Sequence, residues 1–339
     1  MALDKLSVND PRVEHHTVKV NGKNYHYILG NPSSGQPIDT IFLIHGWPDL
    51  GHGWRYQVPH LMALNYRVVV PDMLGYGKTD APEALGEYAM KSVAADVAAL
   101  AAHVVGPGAQ IILGGHDWGG EVVWKTALWQ PQLAKALFSV STPFVPPGAT
   151  WLSDEAFIKA LPNFAYQLQL AGPHVSANLV GRDRLRNFLN GMYLGTGPDR
   201  ETVFSTARGV HLDNLDVPIG QSPLMTREES EFYADEYNRH GIHYPLNWYR
   251  TRRINWEHER ELVKEGRSRV SVPALMLVTT KDAALPPFMS AGMDKHFDAL
   301  TKVDVPTHHW ALVAAADTVN DHLTSFLAAF QARKQKEKL

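Results

Sequence analysis

The sequence predicts an α/β protein: a mostly parallel sheet flanked by helices, with a helical region inserted past its middle. Short apolar runs alternate with helical patterns from the start to about residue 145, as strands joined by crossover helices do. From about Pro146 to Arg267 the β-rich runs give way to helical stretches with many aromatics, and the alternation then resumes. A core of residues 1–145 and 268–339, interrupted by a helical cap of residues 146–267, accounts for all of this.

Two alternating segments, near Val13–Val20 and Tyr25–Leu29, read as antiparallel strands at one edge of the sheet. The runs Ile41–Ile44, Val68–Val70, Ile111–Leu113 and Leu137–Val140 are brief and mostly branched, as buried strands are. Between them, Val93, Val97, Leu100 and Val104 share one helical face. After the insertion come Ala274–Thr279 and Lys302–Val305, then a closing helix with Val319, Leu323, Phe326, Leu327 and Phe330 on one face. An insertion of this kind sits over the carboxyl ends of the strands, where open sheets bind ligands, and is therefore a candidate lid.

Composition removes several classes of function. The chain has 339 residues, 45% of them hydrophobic, so a large core is available. The formal charge of -3, with Lys and Arg scattered, offers no footprint for nucleic acid or an anionic membrane. The basic tail Arg333–Lys338 reads as a solvated helix end. With no cysteine there is no disulfide, thiol catalysis or thiolate metal site. Met1–Asp10 carries no apolar run behind a basic start, and nothing approaches the roughly 18 apolar residues of a membrane helix. A soluble cytoplasmic protein is expected. The final Glu337-Lys338-Leu339 approximates a peroxisomal Ser-Lys-Leu address, although Glu replaces its small residue.

The run Ile111-Ile112-Leu113-Gly114-Gly115-His116-Asp117-Trp118-Gly119-Gly120 carries the most chemistry. A strand enters, a helix leaves, and Gly115 and Gly119 bracket Asp117 two residues to either side. This is the nucleophile-elbow spacing, in which small residues permit a sharp turn that pushes the central side chain out above the sheet. The spacing fits neither a dinucleotide turn nor a P-loop, and a central carboxylate would repel phosphate. A carboxylate attacking an acyl group would make an anhydride; attacking saturated carbon, it makes an ester that water can cleave. Asp117 therefore points to an alkyl electrophile, an epoxide or a carbon–halogen bond.

Cleaving that ester needs a base, a group to orient it, and oxyanion donors. In the α/β-hydrolase fold the acid and then the histidine follow the nucleophile along the chain. Asp282 follows the run Leu275–Val278, and His309 follows Val303–Val305, the positions expected of acid and base. His308 reads as structural. The backbone N–H groups of Trp118 and of Trp47, in His45-Gly46-Trp47-Pro48-Asp49, are the candidate oxyanion donors, and Pro48 is a candidate for a cis bond.

Together these residues resemble the soluble epoxide hydrolases, fungal and mammalian, of the α/β-hydrolase superfamily, over nearly the whole chain. The family's H-G-x-P segment is His45–Pro48, its G-x-small-x-Ser/Thr segment is Gly75-Tyr76-Gly77-Lys78-Thr79, and its nucleophile run is His116-Asp117-Trp118-Gly119. Phe164-Ala165-Tyr166-Gln167 and Pro245-Leu246-Asn247-Trp248-Tyr249-Arg250 look like its two lid tyrosine segments. The resemblance implies that Tyr166 and Tyr249 hydrogen-bond the oxirane oxygen and supply its proton. It implies a small apolar epoxide and water as substrates, and neither metal nor organic cofactor. The N-terminal phosphatase domain of the mammalian forms has no counterpart in the sequence. A haloalkane dehalogenase would share Asp117 and Trp118 but has no use for the tyrosine pair. A non-catalytic ligand-binding homologue could lose a triad member, yet Asp117, Asp282 and His309 are all present. Lid aromatics such as Trp151, Phe164 and Phe188 suggest an apolar pocket.

Overall fold

The computed structural model describes residues 3–33 and 35–336, so Glu337-Lys338-Leu339 lies outside the described residues. The chain forms β1 (Val13–Val20), β2 (Lys23–Gly30), β3 (Asp39–Ile44), β4 (Tyr66–Pro71), β5 (Ile111–His116) and β6 (Ala134–Val140). A short hairpin follows, β7 (Phe204–Ser205) and β8 (Gly209–Val210), and then β9 (Ala274–Thr279) and β10 (Leu300–Val305). Among the described residues one eight-stranded sheet runs in the order β1-β2-β4-β3-β5-β6-β9-β10. The β1–β2 and β2–β4 pairs are antiparallel and the remainder parallel. The two opening segments thus lie at the sheet edge, as their alternation predicts.

The inner strands are buried on both faces, which is why they read as unbroken apolar runs. Ile41 and Leu43 pack with Val58, Leu61, Leu323 and Leu327 on one side. Phe42 and Ile44 pack with Val93, Val97, Leu113 and Val123 on the other. Each such side chain contributes roughly 1.5–3 kcal/mol by leaving water. The first layer is closed by the helices Gln57–Ala63 and Ala316–Lys336, the second by Met90–Val105 and Trp118–Trp129.

The chain leaves the sheet after β6 and re-enters at β9, its neighbour in the sheet. The residues between form the helices Asp154–Ala160, Ala165–Ala171, Pro173–Asn178, Arg182–Met192, Arg227–Asn238, Asn247–Arg250 and Arg252–Lys264. The β7–β8 hairpin is the one departure from the helical expectation for this stretch. Its strands are two residues each, too short to leave any periodicity in the sequence. A buried ion cluster ties this region to the core. Glu229, on Arg227–Asn238, lies 3.1 Å from Arg55 Nε and 2.7 Å from Lys5 Nζ. Tyr233 Oη also donates to Asp49 at 2.6 Å.

Candidate active site

The crevice where strand order reverses is the natural ligand site of an open parallel sheet. Here β3 lies between β4 and β5, and Ile44 pairs with Gly115, so the ends of β3 and β5 are level. The loops leaving them, His45–Asp49 and Asp117, therefore meet.

Asp117 is the N-cap of Trp118–Trp129, at φ 55° and ψ -126°. A non-glycine residue at positive φ is strained unless its surroundings fix it. Here they do, because the turn leaves no room for side chains around it. A Cβ on Gly115 would run into the Gly119 carbonyl, and one on Gly119 into that of Ile44. Gly46 faces the Asp117 carboxylate equally closely. Thr142 Oγ1 donates to the Asp117 carbonyl at 2.7 Å, locking the turn from the side.

The Trp47 N–H donates to Asp117 Oδ1 at 2.7 Å, and the Trp118 N–H also bonds the carboxylate. The Trp47–Pro48 peptide is cis. His45 itself points away from this site: it is buried, its Nε2 accepting from the Met73 N–H at 2.9 Å, and it fixes the loop.

His309 Nε2 lies 3.7 Å from Asp117 Oδ2, and its Nδ1 lies 2.7 Å from Asp282 Oδ2. Asp282 Oδ1 accepts from the N–H groups of Ala284 (2.8 Å) and Leu285 (3.1 Å). Burial works against ionising Asp282, but His309 and these N–H groups overcome it and hold its pKa at about 2. For His309 burial pulls the other way. The neighbouring Asp282 and Asp117 prevail and raise it to about 9. Asp117 is pushed upward by burial, in spite of His309 and the two backbone donors. At neutral pH His309 is therefore an imidazolium bound to the Asp282 carboxylate, with Asp117 3.7 Å from its other nitrogen. His116 Nε2 donates to the His309 carbonyl at 2.9 Å, which fixes the loop that carries the imidazole.

Tyr166, on Ala165–Ala171, and Tyr249, on Asn247–Arg250, face Asp117 from above. Their ring centroids are 6.1 Å apart, and Tyr249 lies edge-on to both Trp47 (5.4 Å) and Trp118 (5.2 Å). Burial, reinforced for both by the charge of Asp117, raises each phenol above its ordinary value, so both stay protonated donors. Arg250 joins the two short helices: its Nε donates to the Ala171 carbonyl at 3.0 Å and its Nη1 to Asn247 Oδ1 at 2.7 Å. A cation at the carboxyl end of Ala165–Ala171 also suits that helix's dipole.

These residues surround a cavity in two lobes that share Asp117, Tyr166 and Tyr249. One lobe, about 350 Å³, is lined by Trp47, Pro48, Met192, Phe204, Asp282 and His309. The other, about 310 Å³, is lined by Trp118, Trp151, Phe164, Glu121, Lys125 and Glu259 among others. All the sequence-derived candidates except His45, Gly46 and Phe188 thus line one or other lobe, while Gly46 abuts the Asp117 carboxylate. His308 lines the first lobe too. Phe188 lines neither: it is fully buried and packs on Trp47 at 5.8 Å. Sequence reasoning missed Glu121 and Lys125, although each follows Asp117 at a spacing, four and eight residues, that stacks side chains on one helix face. Among the described residues no cluster of three or more His, Asp or Glu could hold a metal ion, and no helix is long and apolar enough to cross a membrane.

A family profile described as the alpha/beta hydrolase fold matches residues 39–316. The chain therefore belongs to the α/β-hydrolases. Epoxide hydrolase srdG of Neurospora crassa is 40% identical over 97% of this chain and 100% of its own length. Bifunctional epoxide hydrolase 2 of Mus musculus is 34% identical over 85% of the chain, which spans 51% of that protein. Among solved structures, potato epoxide hydrolase I superposes at a TM-score of 0.78 with 25% identity, over 94% of this chain and 99% of that one. Epoxide hydrolase A from Mycobacterium thermoresistibile does so at 0.76 with 29% identity, over 93% and 98%. Within its fold family this chain is an epoxide hydrolase.

Proposed function

We propose that the enzyme opens epoxides to vicinal diols through a covalent ester on Asp117, under a cap formed by residues 146–267. The observation that carries this reading is the placement of one carboxylate between two phenols on one side and an Asp-bound imidazole on the other.

In the first stage Asp117 Oδ2 attacks an oxirane carbon and the C–O bond breaks. Tyr166 and Tyr249 hydrogen-bond the leaving oxygen and one gives it a proton, since an alkoxide is far more basic than even a buried phenol. The alkylated Asp117 is neutral. The imidazolium, having lost an anion 3.7 Å away, returns its proton to the phenolate and becomes a neutral base. In the second stage His309, held by Asp282, takes a proton from water as the water attacks the Asp117 carboxyl carbon. Oδ1 becomes the oxyanion, already seated against the Trp47 N–H, with the Trp118 N–H also bonding this carboxyl group. Collapse expels the alkoxide, which takes the proton of the new Asp117 carboxyl group; the diol leaves, imidazolium and carboxylate are restored, and one epoxide and one water make one diol.

The test is to trap the ester. His309→Gln incubated with styrene oxide should accumulate an adduct that peptide mass spectrometry places on Asp117. Full diol formation with no adduct at any time would overturn the covalent route.

A further inference from the structure

Beyond Asp117 the second lobe is only partly apolar. Glu121, Lys125 and Glu259 line it beside Trp151, Phe157 and Trp256. An ammonium has three donors, and those of Lys125 are taken up by protein: the Val145 carbonyl at 3.0 Å, Glu259 at 2.9 Å and Glu121 at 3.5 Å. Arg252, on the same wall, is held by Asp154 and the Leu152 carbonyl and lies 4.1 Å from the Trp151 ring centre. The lobe therefore presents the carboxylates of Glu121 and Glu259 against two cations, Lys125 and Arg252, that are already paired. Burial, and Glu259 beside it, push the Glu121 carboxyl upward in spite of Lys125. A carboxylate that shares its one cation with a second carboxylate gains from an O–H brought to it.

Its position relative to the chemistry is fixed. Glu121 lies in the first turn of Trp118–Trp129, and its N–H donates to the Asp117 carbonyl at 3.3 Å. It stands one turn beyond Asp117, about 6 Å along the helix axis.

We propose that Glu121 is a specificity-determining residue that selects epoxides bearing a neutral hydrogen-bond donor, a hydroxyl or phenol, about one helical turn from the oxirane, and that this wall turns away a carboxylate at the same place. The proposal rests on the epoxide-opening chemistry above. A substrate hydroxyl entering the lobe donates to Glu121 and adds to the single cation, Lys125, that it shares with Glu259. A substrate carboxylate meets two like charges, and the cations of the lobe, Lys125 and Arg252, are already paired with Glu259, Glu121 and Asp154.

The experiment compares, on the wild-type enzyme, three epoxides of equal chain length that end in methyl, hydroxymethyl and carboxylate, with styrene oxide as reference. A hydrogen bond to a charged group changes kcat/KM by about tenfold or more. The alcohol should therefore exceed the methyl compound by about tenfold and the acid fall below it by a similar factor. Glu121→Gln should shrink both ratios toward one. Equal kcat/KM for the three in the wild type, with styrene oxide turned over, overturns the selection alone. Wild-type ratios that persist in Glu121→Gln overturn its assignment to Glu121. No turnover of styrene oxide or of the series overturns the reaction itself, and this inference falls with it.

Discussion

Removing the charge of Asp117 is expected to release the proton held by His309. In the resting enzyme that imidazole titrates at about 9, against an ordinary 6.5, because Asp282 and Asp117 flank it. Its Nε2 lies 3.7 Å from Asp117 Oδ2. Two unit charges so placed interact by about 4 kcal/mol at an effective dielectric near 20. Each ~1.4 kcal/mol displaces a titration tenfold in proton concentration. Asp117→Asn keeps the shape and loses the charge, so it should lower the His309 titration from about 9 toward neutrality, while Asp282, the larger contributor, keeps part of the upward shift. The assay is a pH titration of the histidine ring signals by NMR. The chain has 17 histidines, and the signal lost in His309→Gln identifies the one that matters. A His309 signal that still titrates near 9 in Asp117→Asn would refute the ion-pair account. The substitution imitates what alkylation does in turnover, so the result bears directly on how one imidazole serves both stages.

The same pairing sets the pH profile: kcat/KM, which reports the free enzyme, should fall as pH rises through about 9, while decay of the isolated ester should slow in acid. Stopped-flow measurement of the two stages separates them, and a kcat/KM that climbs past pH 9 would contradict it. Tyr166→Phe and Tyr249→Phe should each slow ester formation by about a hundredfold and leave ester cleavage within a few-fold. Single-turnover kinetics reads both steps, and an equal loss in each would assign the phenols a merely structural part. Glu229→Gln should cost about 3–5 kcal/mol in urea unfolding, because it strands the guanidinium of Arg55, whose side chain is 0% exposed. Glu257→Gln, at the exposed Arg253 pair, should cost below ~0.5 kcal/mol. Similar losses for the two would deny that the buried cluster clamps the helix Arg227–Asn238 to the core.

What was legible in the sequence follows the physics of each element. Ala274–Thr279 reads directly because a strand buried on both faces leaves an unbroken apolar run. Tyr66, Arg67 and Pro71 of β4 escaped notice because they flank the apolar run rather than belong to it. Asp117, Asp282 and His309 could be placed by order along the chain, since each follows a strand and parallel strands deliver their loops to one end. Lid positions lack that logic. Phe188 is as aromatic as Phe164, and only packing decides that one fills the core behind Trp47 while the other lines the lobe. The strand order, with β3 flanked by later strands, depends on crossovers that no local pattern records.

Because Asp117 caps the helix that also carries Glu121 and Lys125, the reacting atom and the groups further down the lobe sit on a single rigid rod. Distances along that rod come in steps of about 1.5 Å per residue and are set by the helix alone. The helix thus works as a built-in measuring scale with its zero at the nucleophile. Moving the acidic mark from position 121 to 125 would change the length of molecule that fits by four such steps, about 6 Å, without touching the bond-breaking end.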